Sequence, residues 1–217
     1  MKTVLGLAVV AGLATLASAD PVVVFSSDFE SGAPAQMGGG GGVEGSQGLS
    51  AVGFGSNLWR NDGFSSTTLS LDNLPAHTSL SLKLLFAAID SWDGIGGSPG
   101  PDAFEIRVDG TAVWNYVFAS ASGSSNYPGA ATAAGGYGWN SYNEWVYSLT
   151  NEAALTDIAH TADSVRIEFV AVGPGWQGGF DESFGIDNVE VTVDAIPAPG
   201  AVALAGIAGL VGLRRRR

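Results

Sequence analysis

From residue 165 the chain alternates, with Val165, Ile167, Phe169 and Ala171 on one side and Arg166 and Glu168 on the other. A period of two places successive side chains on opposite faces of an extended backbone, and a helix cannot satisfy it. The pattern recurs in Leu80, Leu82, Leu84 and Phe86, in Phe104, Ile106 and Val108 against Glu105, Arg107 and Asp109, and in Val189, Val191 and Val193 against Glu190 and Thr192. Each run reads as a half-buried strand, and further strands are expected at 22–25, 66–71, 111–118 and 144–149. Asp109-Gly110 between two runs is a hairpin signal, because Gly supplies the positive φ a tight turn needs. Only 151–159 has a short helical character. Eight or nine strands, glycine-rich turns and almost no helix predict an all-β fold, a single jelly-roll-type β-sandwich over residues 20–195, with a closed barrel as the alternative.

The two ends of the chain read as addresses. Lys2, an apolar stretch over 4–16 and Ala17-Ser18-Ala19 before Asp20 form the three regions of a secretory signal peptide, residues 1–19. With no cysteine in an exported chain, stability is expected from a core or a bound metal instead of disulfides. At the other end, residues 196–217 join Pro197-Ala198-Pro199 to an apolar run over 201–213 and Arg214 to Arg217. That run would rise about 20 Å as a helix, short of the roughly 30 Å hydrocarbon core, and arginines beyond it favour the cytoplasmic side. The arrangement resembles, in a variant form, the PEP-CTERM sorting signal read by exosortase systems in Gram-negative bacteria. The resemblance implies an exosortase-type processing enzyme as partner, a transient hold in the inner membrane, and release to the cell envelope surface or the extracellular space.

Charge narrows the partners. Four basic residues, Arg60, Lys83, Arg107 and Arg166, stand against all 21 acidic ones in the part between the two addresses, a balance of −17 where the whole chain carries −12. Nucleic acid is excluded as a partner, since phosphate binding requires a basic surface. Cations and neutral polymers fit.

Three acidic groupings stand out: Asp28-Phe29-Glu30; Asp90-Ser91-Trp92-Asp93 with Asp102; and Asp181-Glu182 followed by Asp187. Carboxylates set close together repel one another unless something positive joins them, and Ca²⁺ accepts six to eight oxygens in irregular geometry. Asp90, Asp93 and Asp102 form one candidate set, with Asp181 or Glu182 to complete it; the alternative is a solvated acidic loop. The start Asp28-Phe29-Glu30-x-Gly32 and the end Gly185-Ile186-Asp187-Asn188-Val189 resemble galactose-binding-like β-sandwich carbohydrate-binding modules. That resemblance implies neighbouring first and last strands and a structural calcium held by Glu30 and Asp187, with Asp28 as helper.

His77 and His160 are the only histidines, each in an Ala-His-Thr segment before a strand, and a structural role is expected for both. Of six tryptophans, Trp114 and Trp145 fall within strands and are assigned to the core. Trp92, Trp139 and Trp176 in glycine-rich loops, with Tyr137 and Tyr142, are candidates for stacking on sugar rings. The run Gly38 to Gly42 lacks the Lys-Ser/Thr ending of a phosphate loop and reads as a flexible connection. No glycosidase carboxylate spacing, Gly-x-Ser-x-Gly elbow or His-Glu-x-x-His helix is present. The leading expectation is a noncatalytic, calcium-stabilised, polysaccharide-binding protein of the cell surface or extracellular matrix. A carbohydrate-active hydrolase and a permanently membrane-anchored adhesin are the alternatives.

Overall fold

The computed structural model describes residues 20–140 and 142–196; the expected signal peptide, residues 1–19, and the Pro197-Ala198-Pro199 motif with its apolar tail lie outside the described residues. The strands run in the order β1 (Val22–Ser27), β2 (Met37–Gly39), β3 (Gly42–Gly45), β4 (Asn57–Asn61), β5 (Thr67–Asp72), β6 (His77–Asp90), β7 (Asp102–Val108), β8 (Thr111–Phe118), β9 (Ala133–Gly135), β10 (Glu144–Ser148), β11 (Ile158–Ala159), β12 (Ser164–Val172) and β13 (Glu182–Ala195). One sheet has the order β3-β4-β13-β6-β10-β9, with β1 also on β13 and β11 also on β6; the other is β2-β5-β12-β7-β8. The named strand pairs are antiparallel. No helix among the described residues is long and apolar enough to cross a membrane. The helical character expected near 151–159 amounts to one turn of 3-10 helix, Ala153–Leu155.

The alternating runs do what their period requires. Leu80, Leu82, Leu84 and Phe86 turn inward from β6, and Ile106, Ile167 and Phe169 meet them from the other sheet. Phe86 of the first sheet stacks on Phe104 of the second with centroids 4.2 Å apart and planes 7° apart. This inter-sheet aromatic layer is why the two faces close into a sandwich, since neither could bury its apolar stripe alone. The β7–β8 hairpin turns through Asp109 and Gly110, both at positive φ.

First and last strands are neighbours: β1 pairs with β13 from Val22 opposite Val193 to Ser27 opposite Val189. β13 is long because it serves two partners, β4 over Phe184–Ile186 and β1 beyond it. A register shift between Asp187 and Glu190, with Asn188 at φ 50°, marks the changeover.

The glycine run corrects an expectation. Gly38 to Gly42 is not a flexible connection; it carries the chain from β2 in one sheet to β3 in the other. The Gly40 carbonyl accepts hydrogen bonds from Trp59 Nε1 (3.1 Å) and Thr67 Oγ1 (2.8 Å). The crossover lies so close to the 60–66 backbone that a Cβ on Gly40 or Gly41 would overlap the Ser65 or Arg60 carbonyl oxygen.

Candidate metal centre

Where β6 ends and β7 and β13 begin, Asp93, Asp102 and Glu182 converge. One carboxylate oxygen from each lies within 4.8 Å of the others, and all three residues are buried, Asp102 and Glu182 completely. Asp102 and Glu182 are the first residues of strands in opposite sheets, so the site straddles one end of the sandwich. Backbone donors fix the cluster: Asp93 N–H donates to Asp102 Oδ2 (2.6 Å), Asp102 N–H to the Asp93 carbonyl (2.8 Å), and Gln177 N–H to Glu182 Oε2 (2.5 Å). The Ser122 hydroxyl donates to Asp93 Oδ1.

Two oxygens remain unsatisfied. Asp102 Oδ1 and Glu182 Oε1 are buried without a hydrogen-bond partner while both groups are charged; only a proton on one of them lets the two side chains bond each other. Among the described residues no lysine, arginine or histidine pairs with the trio. Burial pushes the Asp102 carboxyl above its ordinary range. Burial first, and then the facing Asp102 charge, pushes Glu182 up to about 8, against hydrogen bonds from Gln177 and Gly178 that pull the other way. Such a cluster is quieted in one of two ways: a proton on Glu182 shared with Asp102, or a cation that replaces it.

The other members of this candidate set are engaged elsewhere. Asp90 is fully buried at φ 70°, its oxygens accepting from the Asn140 backbone N–H (3.0 Å) and Nδ2 (3.1 Å), and burial raises its carboxyl. Asp181 lies in the turn before β13 and is held outside the trio, accepting from the Ser91 hydroxyl at 2.7 Å. Glu144, fully buried nearby in β10, is raised mainly by burial and accepts from Tyr137 N–H at 2.5 Å.

At the β1–β13 junction Asp187 is fully buried and accepts from Gly55 N–H (2.8 Å) and Asn188 N–H (2.6 Å). Burial, together with the charges of Asp28 and Glu30, pushes it up to about 6 against those two hydrogen bonds. Glu30 Oε1 accepts from Asn57 N–H at 2.9 Å and Asp28 Oδ1 from Glu30 N–H at 3.2 Å. The three carboxylates are thus neighbours, but only the Asp93, Asp102 and Glu182 trio, among the described residues, brings three ligand atoms within 4.8 Å.

An open pocket of about 350 Å³ reaches the trio at Asp93 alone, its wall also including Ser91, Ser122, Tyr142, Gln177 and Asp181. The aromatic expectations divide here. Trp92 is a correction: it is fully buried, donating Nε1 to the Ser183 carbonyl (2.8 Å) in edge contact with Phe86, and it cannot stack on a ligand. Trp176 is half-buried against Trp92 and bonded to the Gly63 carbonyl, Trp139 lies half-buried under the Arg60 guanidinium, and Tyr137 packs on the smaller core cluster. Trp114 is core, but Trp145 is only half-buried and lines a second pocket of about 360 Å³ with residues 119–125. The exposed rings are Tyr142 (48 %), Phe64 (75 %) and Phe180 (86 %). The two phenylalanines have no place in the sequence reading; each follows a glycine in a loop, but so does Phe54, which is buried, so the setting alone does not mark exposure.

No family model matches this chain. No curated protein matches it either. Among solved structures it is similar to the K3 cleaved adhesin domain of Lys-gingipain from Porphyromonas gingivalis, at 13 % identity and TM-score 0.44 over 79 % of this chain and 99 % of that one. It is also similar to the CBM22-1 xylan-binding domain of Paenibacillus barcinonensis Xyn10C, at 10 % identity and TM-score 0.40 over 82 % and 99 %. A third is TmCBM61, solved with β-1,4-galactotriose, at 13 % identity and TM-score 0.40 over 75 % and 92 %.

Proposed function

We propose that the protein is an exported, noncatalytic polysaccharide-binding β-sandwich whose binding end is organised by Ca²⁺ at Asp93, Asp102 and Glu182. The observation that carries this reading is the pair of buried, unpartnered oxygens, Asp102 Oδ1 and Glu182 Oε1, beside the pocket that Asp93 lines. An oxygen-only donor set in irregular loop geometry suits a hard cation, and Ca²⁺ tolerates that irregularity where Mg²⁺ demands an octahedron. Burial speaks against the hydrolase alternative. A glycosidase needs its two carboxyl groups on either side of a scissile bond. Asp102 and Glu182 are sealed from solvent and touch neither pocket wall.

The export route rests on the sequence at both ends, with Pro197-Ala198-Pro199 and the arginine-ended tail as the signal for processing. Calorimetry with Ca²⁺ tests the cation, and binding to a polysaccharide panel without release of reducing sugar tests the noncatalytic role. Absence of calcium heat, with a melting temperature indifferent to chelator, would remove the metal. Mass spectrometry of the native C-terminus tests processing: an intact Arg217 on a membrane-retained form favours the anchored adhesin.

A further inference from the structure

We propose that the cation at the trio is a ligand-binding centre as well as a structural one, and that it recognises a neutral sugar through vicinal hydroxyl groups. The inference rests on the calcium reading above and follows from counting oxygens. Of the six carboxylate oxygens in the trio, three already accept hydrogen bonds: Asp93 Oδ1 from Ser122, Asp102 Oδ2 from Asp93 N–H and Glu182 Oε2 from Gln177 N–H. Three remain. With one ligand atom from each residue within 4.8 Å of the others, the trio supplies three of the about six to eight oxygens that Ca²⁺ takes, and about three or more places fall to further groups. Asp102 and Glu182 are closed off by the two sheets, and Asp93, 6 % exposed, is the member that reaches the pocket. The open side of the coordination shell therefore faces the pocket.

The pocket wall is built for a polyol. Ser122 and Gln177, which hold Asp93 and Glu182 in place, both line it, as do the hydroxyl of Ser91 and the half-exposed ring of Tyr142. Two adjacent hydroxyls span a metal edge as two neutral oxygen ligands, while the ring's apolar face covers the sugar's C–H groups. Charge selects among sugars. Three carboxylates against one divalent cation leave a net negative charge, Asp181 on the same wall adds another, and a uronate carboxylate would be repelled.

An array of neutral gluco-, galacto-, manno- and xylo-oligosaccharides beside uronic-acid oligosaccharides, read in about 1 mM Ca²⁺ and again in EGTA, tests this, with calorimetric Ca²⁺ titration in parallel. The expected result is binding to neutral members that weakens at least about tenfold in EGTA while circular dichroism shows the chain still folded. Tyr142→Ala, an exposed change, is expected to weaken sugar binding about tenfold with calcium affinity unchanged. Calcium heat with sugar binding that survives EGTA, or that appears only on uronates, overturns this inference and leaves the calcium reading standing. Calcium heat with no sugar bound overturns it together with the polysaccharide reading. No calcium heat overturns the metal centre itself.

Discussion

His77 Nε2 lies 2.7 Å from His160 Nδ1, so the only two histidines of the chain are hydrogen-bonded to each other. His77 Nδ1 faces the Pro75 carbonyl at 2.6 Å and must donate, because a carbonyl only accepts. In the neutral His77 ring Nε2 is then the acceptor and His160 Nδ1 the donor; His160 Nε2, 3.1 Å from Asp109 Oδ2, donates to that carboxylate when the His160 ring also carries its second proton. Asp109 in turn accepts from Arg166 N–H at 2.9 Å. The row runs from the start of β6, past the end of β11, to the β7–β8 turn, tying the two sheets at the end opposite Asp90 on β6. His77 and His160 are thus structural.

His160→Ala leaves His77 Nε2, in a residue 2 % exposed, without a partner. The expected cost is about 1–3 kcal/mol in chemical denaturation. Because the rings share one interaction, the double change with His77→Ala should cost clearly less than the two single changes together. Strict additivity would mean that the rings do not depend on each other.

In the crossover between sheets, Gly41→Ala is expected to be destabilising and Gly38→Ala close to neutral. Gly41 has φ 79°, and a Cβ there would overlap the Arg60 carbonyl; Gly38 has open space around it. A non-glycine residue forced into such a conformation costs about 1–3 kcal/mol before the overlap is counted, whereas an unhindered change stays within about 0.5 kcal/mol. Equal melting temperatures for the two variants would return the run to a mobile connection.

That crossover also shows where the sequence stops being legible. The alternating runs announce β6, β7, β12 and β13 because each buries one face, and burial writes a period of two; β1, β5, β8 and β10 fall where the further strands are expected. β2, β3, β9 and β11 are two to four residues long and mostly glycine, alanine or polar, so they bury too little to leave a pattern. The carboxylate trio was half visible. Asp93 and Asp102 stand in one segment with Asp90 as their equal in the sequence; Asp90, at φ 70° where β6 ends, instead gives its carboxylate to Asn140. That Glu182 and not Asp181 completes the group depends on which neighbour faces inward at the first residue of β13. The two histidine segments looked like matching strand entrances; that they meet depends on β11 pairing with β6.

Tyr147 contributes to the alkaline limit of the fold, as does Tyr127, whose phenol is also raised by burial and Glu152. Tyr147 is buried in the aromatic layer, 5.9 Å from Phe86 and 4.8 Å from Phe118 between ring centroids, and burial pushes its phenol from 10 up to about 12. A raised folded-state pKa contributes stability that is full below pH 10 and lost as pH rises through 12, because the unfolded chain releases the proton first. The loss is on the order of 2–3 kcal/mol. Absorbance at 295 nm should show one or more tyrosines ionising only with unfolding above about pH 11, and Tyr147→Phe should flatten that part of the stability curve. A full tyrosine titration at pH 10–11 with the fold intact would contradict the burial.

Glu182→Gln separates a cation site from a simple buried acid by the sign of its effect. In chelator at neutral pH the change removes a carboxyl that burial and Asp102 disfavour in its charged form, so the variant should be as stable as the parent or more so. In saturating Ca²⁺ the order should reverse. The parent gains RT ln(1 + [Ca²⁺]/Kd), about 2.7 kcal/mol at a hundred times Kd, while the amide, which brings no charge to the cation, gains little of it. Asp90→Asn controls for acidity alone, since Asp90 is equally buried but bonded to Asn140 and outside the trio, so its response to Ca²⁺ should match the parent's. Melting curves of the three proteins with and without Ca²⁺ decide the matter: if Glu182→Gln keeps the parent's calcium-induced rise, the trio is not where the cation binds.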